Sequence, residues 1–322
     1  MRINKPKFWD YKRPNFFSFL LLPFTIIIKL NIFFQTIKKT LKKNNSNHKI
    51  KTICVGNIYV GGTGKTPSSI KINQLLNQIN LNSVFIKKNY PKTIDELKLL
   101  ENYGKVISNS KRMDSLNIAN KEYDVAIFDD GLQDASINYD LKIVCFNINN
   151  FVGNGFLIPA GPLREKLNSI KKYDAIFLNG NSENSDEIKS KIKRYNKDIS
   201  IFESSYSLLK GENFDNKINY VAFAGIGIPL NFYKTLIKDN INVVKFLEFP
   251  DHYIYTEDDI KNIKDIAKSL NAKIITTEKD FSRLENSKNV FLKENIQCIK
   301  MELKIKNESD LVNFIKKKLW KL

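Results

Sequence analysis

Short apolar runs of strand length alternate with longer segments of helical pattern along most of the chain. In the first half, the predicted strands are Ile50–Val55, Ser83–Ile86, Lys105–Ser108, Asp124–Phe128, Leu141–Phe146 and Asp174–Leu178. Strands separated by helix-length segments are typical of a mostly parallel sheet with helices on both faces. The pattern therefore predicts an α/β/α sandwich over residues 46–205.

The same alternation resumes after residues 204–217, which are rich in serine, lysine, asparagine and glycine and indicate a connection between domains. The predicted strands beyond it are Tyr220–Phe223, Asn242–Phe246, Lys273–Thr276, Val290–Leu292 and Gln297–Met301. Helices are predicted from Pro229, from the capping-box-like start at Thr256 and from about Ser309. This pattern predicts a second, smaller α/β domain over residues 206–322.

The segment Phe16–Phe34 is mostly apolar but is interrupted by Pro23 and Lys29, and lysines flank it on both sides. Its length borders on that of a membrane span. The basic flanks favour a helix that lies in an anionic leaflet, so residues 1–45 are predicted to form a membrane-associated helical segment. A true span, a core helix and a cleaved signal peptide remain alternatives, although no small-residue cleavage site follows.

The composition is strongly basic. The chain has 322 residues, 42% of them hydrophobic, and a formal net charge of +18. Such a charge indicates an anionic partner, or else a compositional bias towards lysine, and no nucleic-acid-binding motif accompanies it. We therefore expect a membrane surface as partner and no nucleic acid. Cys54, Cys145 and Cys298 form no C-x-x-C pair, which favours buried thiols in a reduced cytosol, and two histidines argue against a structural zinc site.

Residues 56–67 read GNIYVGGTGKTP and lie between an apolar run and a helical pattern from Ser68. This is the order of a phosphate-binding loop, in which backbone amides and a lysine surround phosphate oxygens and a Thr hydroxyl holds Mg²⁺. The residues assigned to ATP here are Gly61, Gly62, Thr63, Gly64, Lys65 and Thr66. Tyr59 departs from the strict glycine pattern, so an ordinary glycine turn is the alternative. Val60 replaces the second lysine of partition and targeting ATPases, which argues against that group.

Two further segments carry candidate chemistry for the same site. The predicted strand before Asp129 and Asp130 ends where a P-loop domain coordinates Mg²⁺, although Asp-Gly also suits a surface turn. The loop 153–165, GNGFLIPAGPLRE, is rigid and rich in glycine and proline. In it, Arg164 could neutralise phosphoryl oxygens and Glu165 could orient Arg164 or a metal-bound water; a surface ion pair is the alternative. Gln133 is assigned to the nucleotide.

Taken together, these segments resemble the tetraacyldisaccharide 4'-kinase family, the lipid A 4'-kinases of Gram-negative bacteria. In chain order the matching blocks are the apolar segment beginning Lys7-Phe8-Trp9, the loop 56–67, Asp95-Glu96, DDGLQ at 129–133, GNGFLIPAGPLRE at 153–165, FAGIGIP at 223–229, FPDH at 249–252 and TTEKD at 276–280. The resemblance covers nearly the whole chain. It predicts a P-loop NTPase-like α/β/α sandwich with a second, smaller α/β domain, a two-stranded linker between them and an N-terminal membrane-associated helix.

The resemblance implies transfer of the ATP γ-phosphoryl group to the 4'-hydroxyl of a tetraacylated glucosamine disaccharide 1-phosphate held between the domains. The product would be lipid IV-A, made at the cytoplasmic face of the inner membrane. By position, Asp95 matches the family's general base and His252 its partner. The nucleotide and metal positions of the family fall on Lys65, Thr66, Asp129, Asp130, Arg164 and Glu165. ATP and Mg²⁺ are the implied cofactors.

This chain departs from the family pattern at two places. Asp134 stands where the family usually has a histidine, and residues 87–91, KKNYP, replace a Ser-Arg-Gly-Tyr-Gly segment. An aspartate cannot supply an imidazole donor, and proline constrains the backbone where the family has glycine. Two other functions remain as alternatives: a P-loop kinase of a soluble metabolite, and a membrane-bound nucleotide switch.

Overall fold

The computed structural model describes residues 5–30, 48–90, 93–180, 185–209, 214–285 and 294–320. The chain forms two compact units. The first comprises Met1–Pro91, Tyr103–Ser205 and Ile305–Leu322, and the second comprises Lys92–Asn102 and Tyr206–Lys304. One division falls at the predicted boundary after residue 205, whereas residues 92–102 and 305–322 lie in the other unit from the one predicted.

Most strands of both units pair in parallel. In chain order they are β1 Lys51–Gly56, β2 Ser83–Lys88, β3 Val106–Asn109, β4 Val125–Asp129, β5 Leu141–Asn147, β6 Ala175–Asn179, β7 Ser200–Leu208, β8 Asn219–Ala224, β9 Val243–Glu248, β10 Ala272–Thr277, β11 Ile296–Ile299 and β12 Met301–Ile305. One sheet has the order β12-β7-β6-β5-β1-β4-β2-β3, and the other β11-β10-β8-β9. β1 lies parallel to β4 and β5, and β8 parallel to β9 and β10. By contrast, β7 and β12 run antiparallel, with Lys306 N–H donating to the Glu203 carbonyl and Leu209 N–H to the Lys300 carbonyl. Every residue of β4 is buried, as a sheet covered on both faces requires.

Helices connect many of the strands. They are α1 Phe16–Leu20, α2 Lys65–Gln78, α3 Ile94–Glu101, α4 Arg112–Ala119, α5 Ser185–Lys193, α6 Pro229–Lys238, α7 Glu257–Ser269, α8 Glu278–Glu285 and α9 Glu308–Trp320. The predicted cap of α7 is present, because Thr256 and Asp259 exchange side-chain to backbone hydrogen bonds. α2 begins before Ser68, at Lys65, so the lysine and threonine of the glycine loop belong to its first turn.

The second unit shows how each sheet is covered on both faces. Along β8, Val221 and Phe223 pack in one apolar cluster with α7, while Ala222 and Ala224 pack in another with α6. In the first unit, Cys54 and Cys145 are buried in the sheet, and Cys298 of the second unit is half-buried; none of the three forms a disulfide. The alternation along β8 is what places helices on opposite faces.

Some predicted strands differ from the observed ones. β7 continues through residues 204–208, which were predicted to be a connection. Two of its polar residues have partners on neighbouring elements, since Ser204 pairs with Asn179 of β6 and Glu203 with Lys189 of α5. The predicted strand Gln297–Met301 is divided into β11 and β12, and the predicted strand 290–292 lies outside the described residues.

Two segments belong to a different unit from the residues that precede them in the chain. α3, in residues 92–102, packs against α8 of the second unit. α9 packs against α2 and β5 of the first unit, with Leu311, Ile315 and Leu319 buried. A salt bridge of 2.5 Å joins Lys71 of α2 to Glu308 at the start of α9. These packing contacts explain both differences from the predicted domain boundaries.

The N-terminal segment exposes several large apolar residues and buries two polar ones, Ser18 and Thr25. Phe16 of α1 is 74% exposed, whereas Ser18 is fully buried and donates to and accepts from Asn15 in a capping box. Residues 25–30 are helical and bury Thr25, and the predicted segment extends past residue 30, beyond the described residues. Within the part of the chain described, no helix has both the length and the apolarity needed to cross a membrane.

Candidate active site

The glycine loop joins β1 to α2 in the first unit. Gly61 and Gly64 have φ values of 135° and 81°, in the left-handed region where a Cβ atom is strained. The Asn57 side-chain amide donates to the Thr63 hydroxyl at 3.0 Å, and Asn179 of β6 donates to the Thr63 carbonyl at 2.7 Å. The loop is thus fixed on both sides at the N terminus of α2, where free backbone amides and the helix dipole favour a phosphate.

Tyr59 occupies the position where the strict loop pattern has glycine. Its side chain is buried with Leu157 and Leu163, and its hydroxyl pairs with Asp10 and, at 2.6 Å, with Lys5. The backbone beside it is tied to the segment before Arg164, since Val60 N–H donates to the Pro162 carbonyl at 2.8 Å. Tyr59 therefore packs beneath the loop and against the N-terminal segment.

Asp129 ends β4 with its carboxylate completely buried. The Thr66 hydroxyl donates to Asp129 Oδ2 at 3.0 Å, and Ser69 lies 3.4 Å from Oδ1. Lys87 Nζ lies 2.6 Å from Oδ2, so the first turn of α2 and the end of β2 meet at this carboxylate. The buried charge is paired, as burial of an ionised group requires.

Asp130 follows in a left-handed conformation, with φ at 61°. Its carboxylate lies 3.1 Å from Arg164 and 3.7 Å from Lys65, and it is partly exposed. The structure therefore brings together Lys65 and Arg164, which the sequence assigned to phosphoryl transfer, and Asp130, which it assigned to the metal. Cations at this spacing can neutralise the charge that develops on phosphoryl oxygens.

Gln133 and Glu165 are linked behind Arg164. The Gln133 amide donates to Glu165 Oε1 at 2.9 Å and its carbonyl oxygen lies 3.3 Å from Arg164 Nη1. Tyr173 also donates to Glu165, at 2.9 Å, and burial followed by the negative charge of Glu165 raises the pKa of that phenol. Gln133 therefore fixes the orientation of Arg164 and Glu165.

Asp134, where the family usually has histidine, accepts hydrogen bonds from Arg112 at 3.1 Å and from Ser136. Burial acts to raise the pKa of Asp134, but the bonds from Ser136 and Arg112 outweigh it and hold the pKa below its ordinary value. The same Arg112 donates to the Asp130 carbonyl at 2.6 Å. Asp134 thus orients an arginine that supports the Asp130 backbone.

The chemistry of this donor set fits Mg²⁺. Enzymes that use Mg²⁺ with nucleotides bind it through one or two carboxylates, phosphate oxygens and waters. Among the described residues there is no group of three or more His, Cys, Asp or Glu side chains placed to hold a metal ion. The Thr66 hydroxyl and the Asp129 carboxylate, with Asp130 next to them, supply the partial set that a nucleotide-bound magnesium ion needs.

In the second unit, the segments Asp95-Glu96, FPDH and TTEKD come together. Asp95 lies buried in the first turn of α3, and its Oδ2 lies 3.1 Å from His252 Nδ1. Arg283 of α8 donates to the same oxygen at 2.8 Å, and Lys279 lies 3.9 Å from it. The His252 side chain is 41% exposed, so one edge of this cluster is open to a ligand.

The electrostatics of the cluster favour an ionised Asp95. Burial acts to raise the pKa of Asp95, but the hydrogen bond from His252 and the positive charges of Lys279 and Arg283 outweigh it and hold the pKa well below its ordinary value. His252 has its backbone in the left-handed region, φ 58°, and its N–H donates to the Gly225 carbonyl at 3.1 Å. This backbone places the imidazole beside the carboxylate.

The sequence relations agree with this geometry. A family model described as tetraacyldisaccharide-1-P 4'-kinase matches residues 17–320. The tetraacyldisaccharide 4'-kinase of Pelagibacter ubique is 50% identical over 314 residues, which are 97% of this chain and 97% of that one. That of Rickettsia akari is 36% identical over 97% of this chain and 96% of its own. The chain belongs to the tetraacyldisaccharide-1-P 4'-kinase family.

A solved structure supports the fold of this family member. The crystal structure of the "apo" form of LpxK from Aquifex aeolicus in complex with ATP has a TM-score of 0.70, with 22% identity over 94% of this chain and 99% of that one. The family model and the relatives confirm the predicted family and enzyme class, a kinase acting on an alcohol group. The solved structure confirms the predicted α/β fold class.

Sequence reasoning about this kinase missed residues in both units. Lys279 was part of the noted TTEKD segment but had no assigned role, and Arg283 was not noted at all. Arg283 lies one helical turn beyond Asp280, to which it donates at 2.7 Å, and that spacing was a usable signal. Lys87 was noted only as a departure from the family pattern, because a strand-end lysine gives no indication of the carboxylate it will meet.

Proposed function

We propose that this chain transfers the γ-phosphoryl group of ATP to the 4'-hydroxyl of a tetraacylated glucosamine disaccharide 1-phosphate at the cytoplasmic face of the inner membrane. The observation that carries the proposal is the arrangement of Lys65 and Thr66 at the start of α2, beside Asp129 and Asp130, in a chain of this kinase family. This arrangement supplies phosphate binding, a metal site and charge neutralisation in one place.

The first unit would bind and orient the phosphates. The amides of Gly61–Thr66 hold phosphate oxygens, and Lys65 moves its charge from Asp130 to the transferring group. Arg164, kept in place by Gln133, neutralises negative charge as the bond to the leaving oxygen breaks. Mg²⁺, held by Thr66 and Asp129 with Asp130 and Glu165 nearby, would screen phosphate charge.

The second unit would supply the proton acceptor. The acceptor hydroxyl must lose its proton as it attacks phosphorus, and the ionised Asp95 carboxylate is available to take it. His252 lies 3.1 Å from Asp95 and orients it, while Lys279 and Arg283 keep the carboxylate charged. Catalysis therefore depends on Asp95 and His252 as well as on the nucleotide site.

The N-terminal segment would bind the membrane. Its exposed side chains include the apolar Phe16, Leu20 and Ile27, while its polar Ser18 is buried. Ser18 accepts a hydrogen bond of 2.9 Å from Asn154, in the loop that leads to Arg164. A surface with apolar residues outside and polar residues inside suits a lipid environment, and the net charge of +18 suits an anionic leaflet.

The decisive test is mass spectrometry of the product formed from ATP and the detergent-solubilised disaccharide 1-phosphate. Phosphate on the 4' oxygen is expected with wild-type protein and Mg²⁺. Lys65→Ala removes a charge that acts on the transferring group and should lower kcat by about 10²–10³-fold. Lys121→Ala, at an exposed lysine after α4, is the matched control and should retain activity. A wild-type protein that leaves this substrate unmodified but phosphorylates a soluble sugar would refute the lipid assignment.

A further inference from the structure

A buried lysine pairs with the carboxylate at the end of β4. β2 and β4 are neighbours in the sheet, with Ile86 opposite Phe128, so the next residues along each strand are Lys87 and Asp129. Lys87 is 3% exposed and Asp129 is 0% exposed, and Nζ lies 2.6 Å from Oδ2. The ammonium group is thus fixed inside the phosphate-binding unit.

The lysine and the proposed metal share one oxygen atom. Asp129 Oδ2, which pairs with Lys87, is also the acceptor of the Thr66 hydroxyl at 3.0 Å. Magnesium held by Thr66 would therefore lie within a few ångströms of the ammonium charge. A dication and a fixed cation at that separation repel each other strongly, because the site is poorly hydrated.

The other carboxylate of the site is also compensated by cations. Asp130 lies 3.1 Å from Arg164 and 3.7 Å from Lys65. Phosphate oxygens can draw Lys65 and Arg164 away, since both side chains are partly exposed. Lys87 is buried and cannot follow a ligand in this way.

We propose that Lys87 is a positioning residue that holds the Asp129 carboxylate and weakens binding of divalent cations to the nucleotide-free protein, so that the metal enters together with the nucleotide phosphates. This inference rests on the proposed magnesium role of Thr66 and Asp129. A buried ion pair adds little net stability over an apolar pair, so structural support alone does not account for the charge. Charge control of the metal site does account for it.

The test is direct binding of Mn²⁺, a paramagnetic substitute for Mg²⁺, measured by electron paramagnetic resonance without nucleotide or lipid. Lys87→Met removes the charge but keeps most of the side-chain length, and it should bind Mn²⁺ roughly tenfold tighter than wild type or better. Lys88→Met, at the exposed end of β2, is the matched control and should leave the affinity unchanged. Adding ADP should strengthen Mn²⁺ binding more in wild type than in Lys87→Met.

Other outcomes separate the explanations. A lysine with a merely structural role predicts weaker or unchanged Mn²⁺ binding in Lys87→Met, and either result overturns the inference. The double variant Lys87→Met/Asp129→Asn should lose the gain, because the released carboxylate is absent. If Lys87→Met does not fold, Lys87→Gln replaces it, because it keeps a hydrogen-bond donor. It should also bind Mn²⁺ more tightly than wild type. The proposed function fails separately, if wild-type protein does not phosphorylate the disaccharide in the presence of Mg²⁺.

Discussion

At the residue scale, Asp95 poses a chemical question. A carboxylate that accepts hydrogen bonds from Arg283 and contacts His252 is a weak base at equilibrium, since its pKa lies well below the ordinary value. Phosphoryl transfer tolerates a weak base, because its transition state is loose and the hydroxyl proton is lost late. The alternative acceptor is His252 Nε2, which lies 3.4 Å from Lys279 Nζ and 3.9 Å from Glu96 Oε1.

The pH dependence of kcat/KM distinguishes Asp95 from His252 as the proton acceptor. If Asp95 takes the proton, it is ionised at every pH above about 4, so no acid limb should appear between pH 5 and 8. Asp95→Asn should lower kcat by about 10²–10⁴-fold across that range. A limb between pH 6 and 7 that disappears in His252→Gln would instead assign the proton to the imidazole.

The same depressed pKa also predicts a stability effect. A carboxylate with a lowered folded-state pKa contributes stability above its unfolded value, about 3.9, and this contribution is lost as pH falls through the folded value. Asp95→Asn should therefore reduce the free energy of unfolding at pH 7. The difference from wild type, measured by urea denaturation, should shrink in acid below pH 4.

At the element scale, the N-terminal segment exposes large apolar side chains and buries polar ones, the reverse of an ordinary surface helix. Ser18 and Thr25 are buried, and the Trp9 indole N–H donates to the Pro159 carbonyl at 3.0 Å. These polar groups therefore face the protein. The apolar residues are left outside, which is costly in water and favourable in lipid. The segment is also tied to the glycine loop, through Tyr59 and its partner Lys5.

Removing the outward apolar side chains should therefore release the protein from membranes. Phe16→Ser, Leu20→Ser and Ile27→Ser combined should reduce partition into phosphatidylglycerol-containing vesicles by roughly tenfold or more per side chain. The measurement is vesicle sedimentation. Ser18→Ala is the matched inward control, expected to cost about 1 kcal/mol of stability and to leave partition unchanged. Equal partition of the triple variant and wild type would contradict the assignment.

At the scale of the whole molecule, the sequence predicts the elements better than their grouping. Alternating apolar runs are sufficient to locate β4 and β8, and the glycine loop locates the phosphate site. No local pattern shows that residues 92–102, between β2 and β3 in the chain, belong to the second unit with Asp95. Nor does periodicity show that the polar Glu203 of β7 pairs with Lys189 of α5, because this contact depends on a residue of another element. Contacts between residues distant in the chain are therefore the part of the fold that the sequence pattern does not predict.

The last helix is one such contact, and it should stabilise the nucleotide unit. α9 lies at the end of the chain but packs against α2, whose first turn holds Lys65 and Thr66. Leu311 is completely buried there, so Leu311→Ala should cost about 2–5 kcal/mol and lower the unfolding temperature. ADP should protect the variant less at a given concentration, because fewer molecules hold the loop in its binding geometry. Asn313→Ala, on the exposed side of α9, is the control for thermal unfolding with and without ADP. An unchanged unfolding temperature in Leu311→Ala would mean that packing of α9 against α2 does not stabilise this unit.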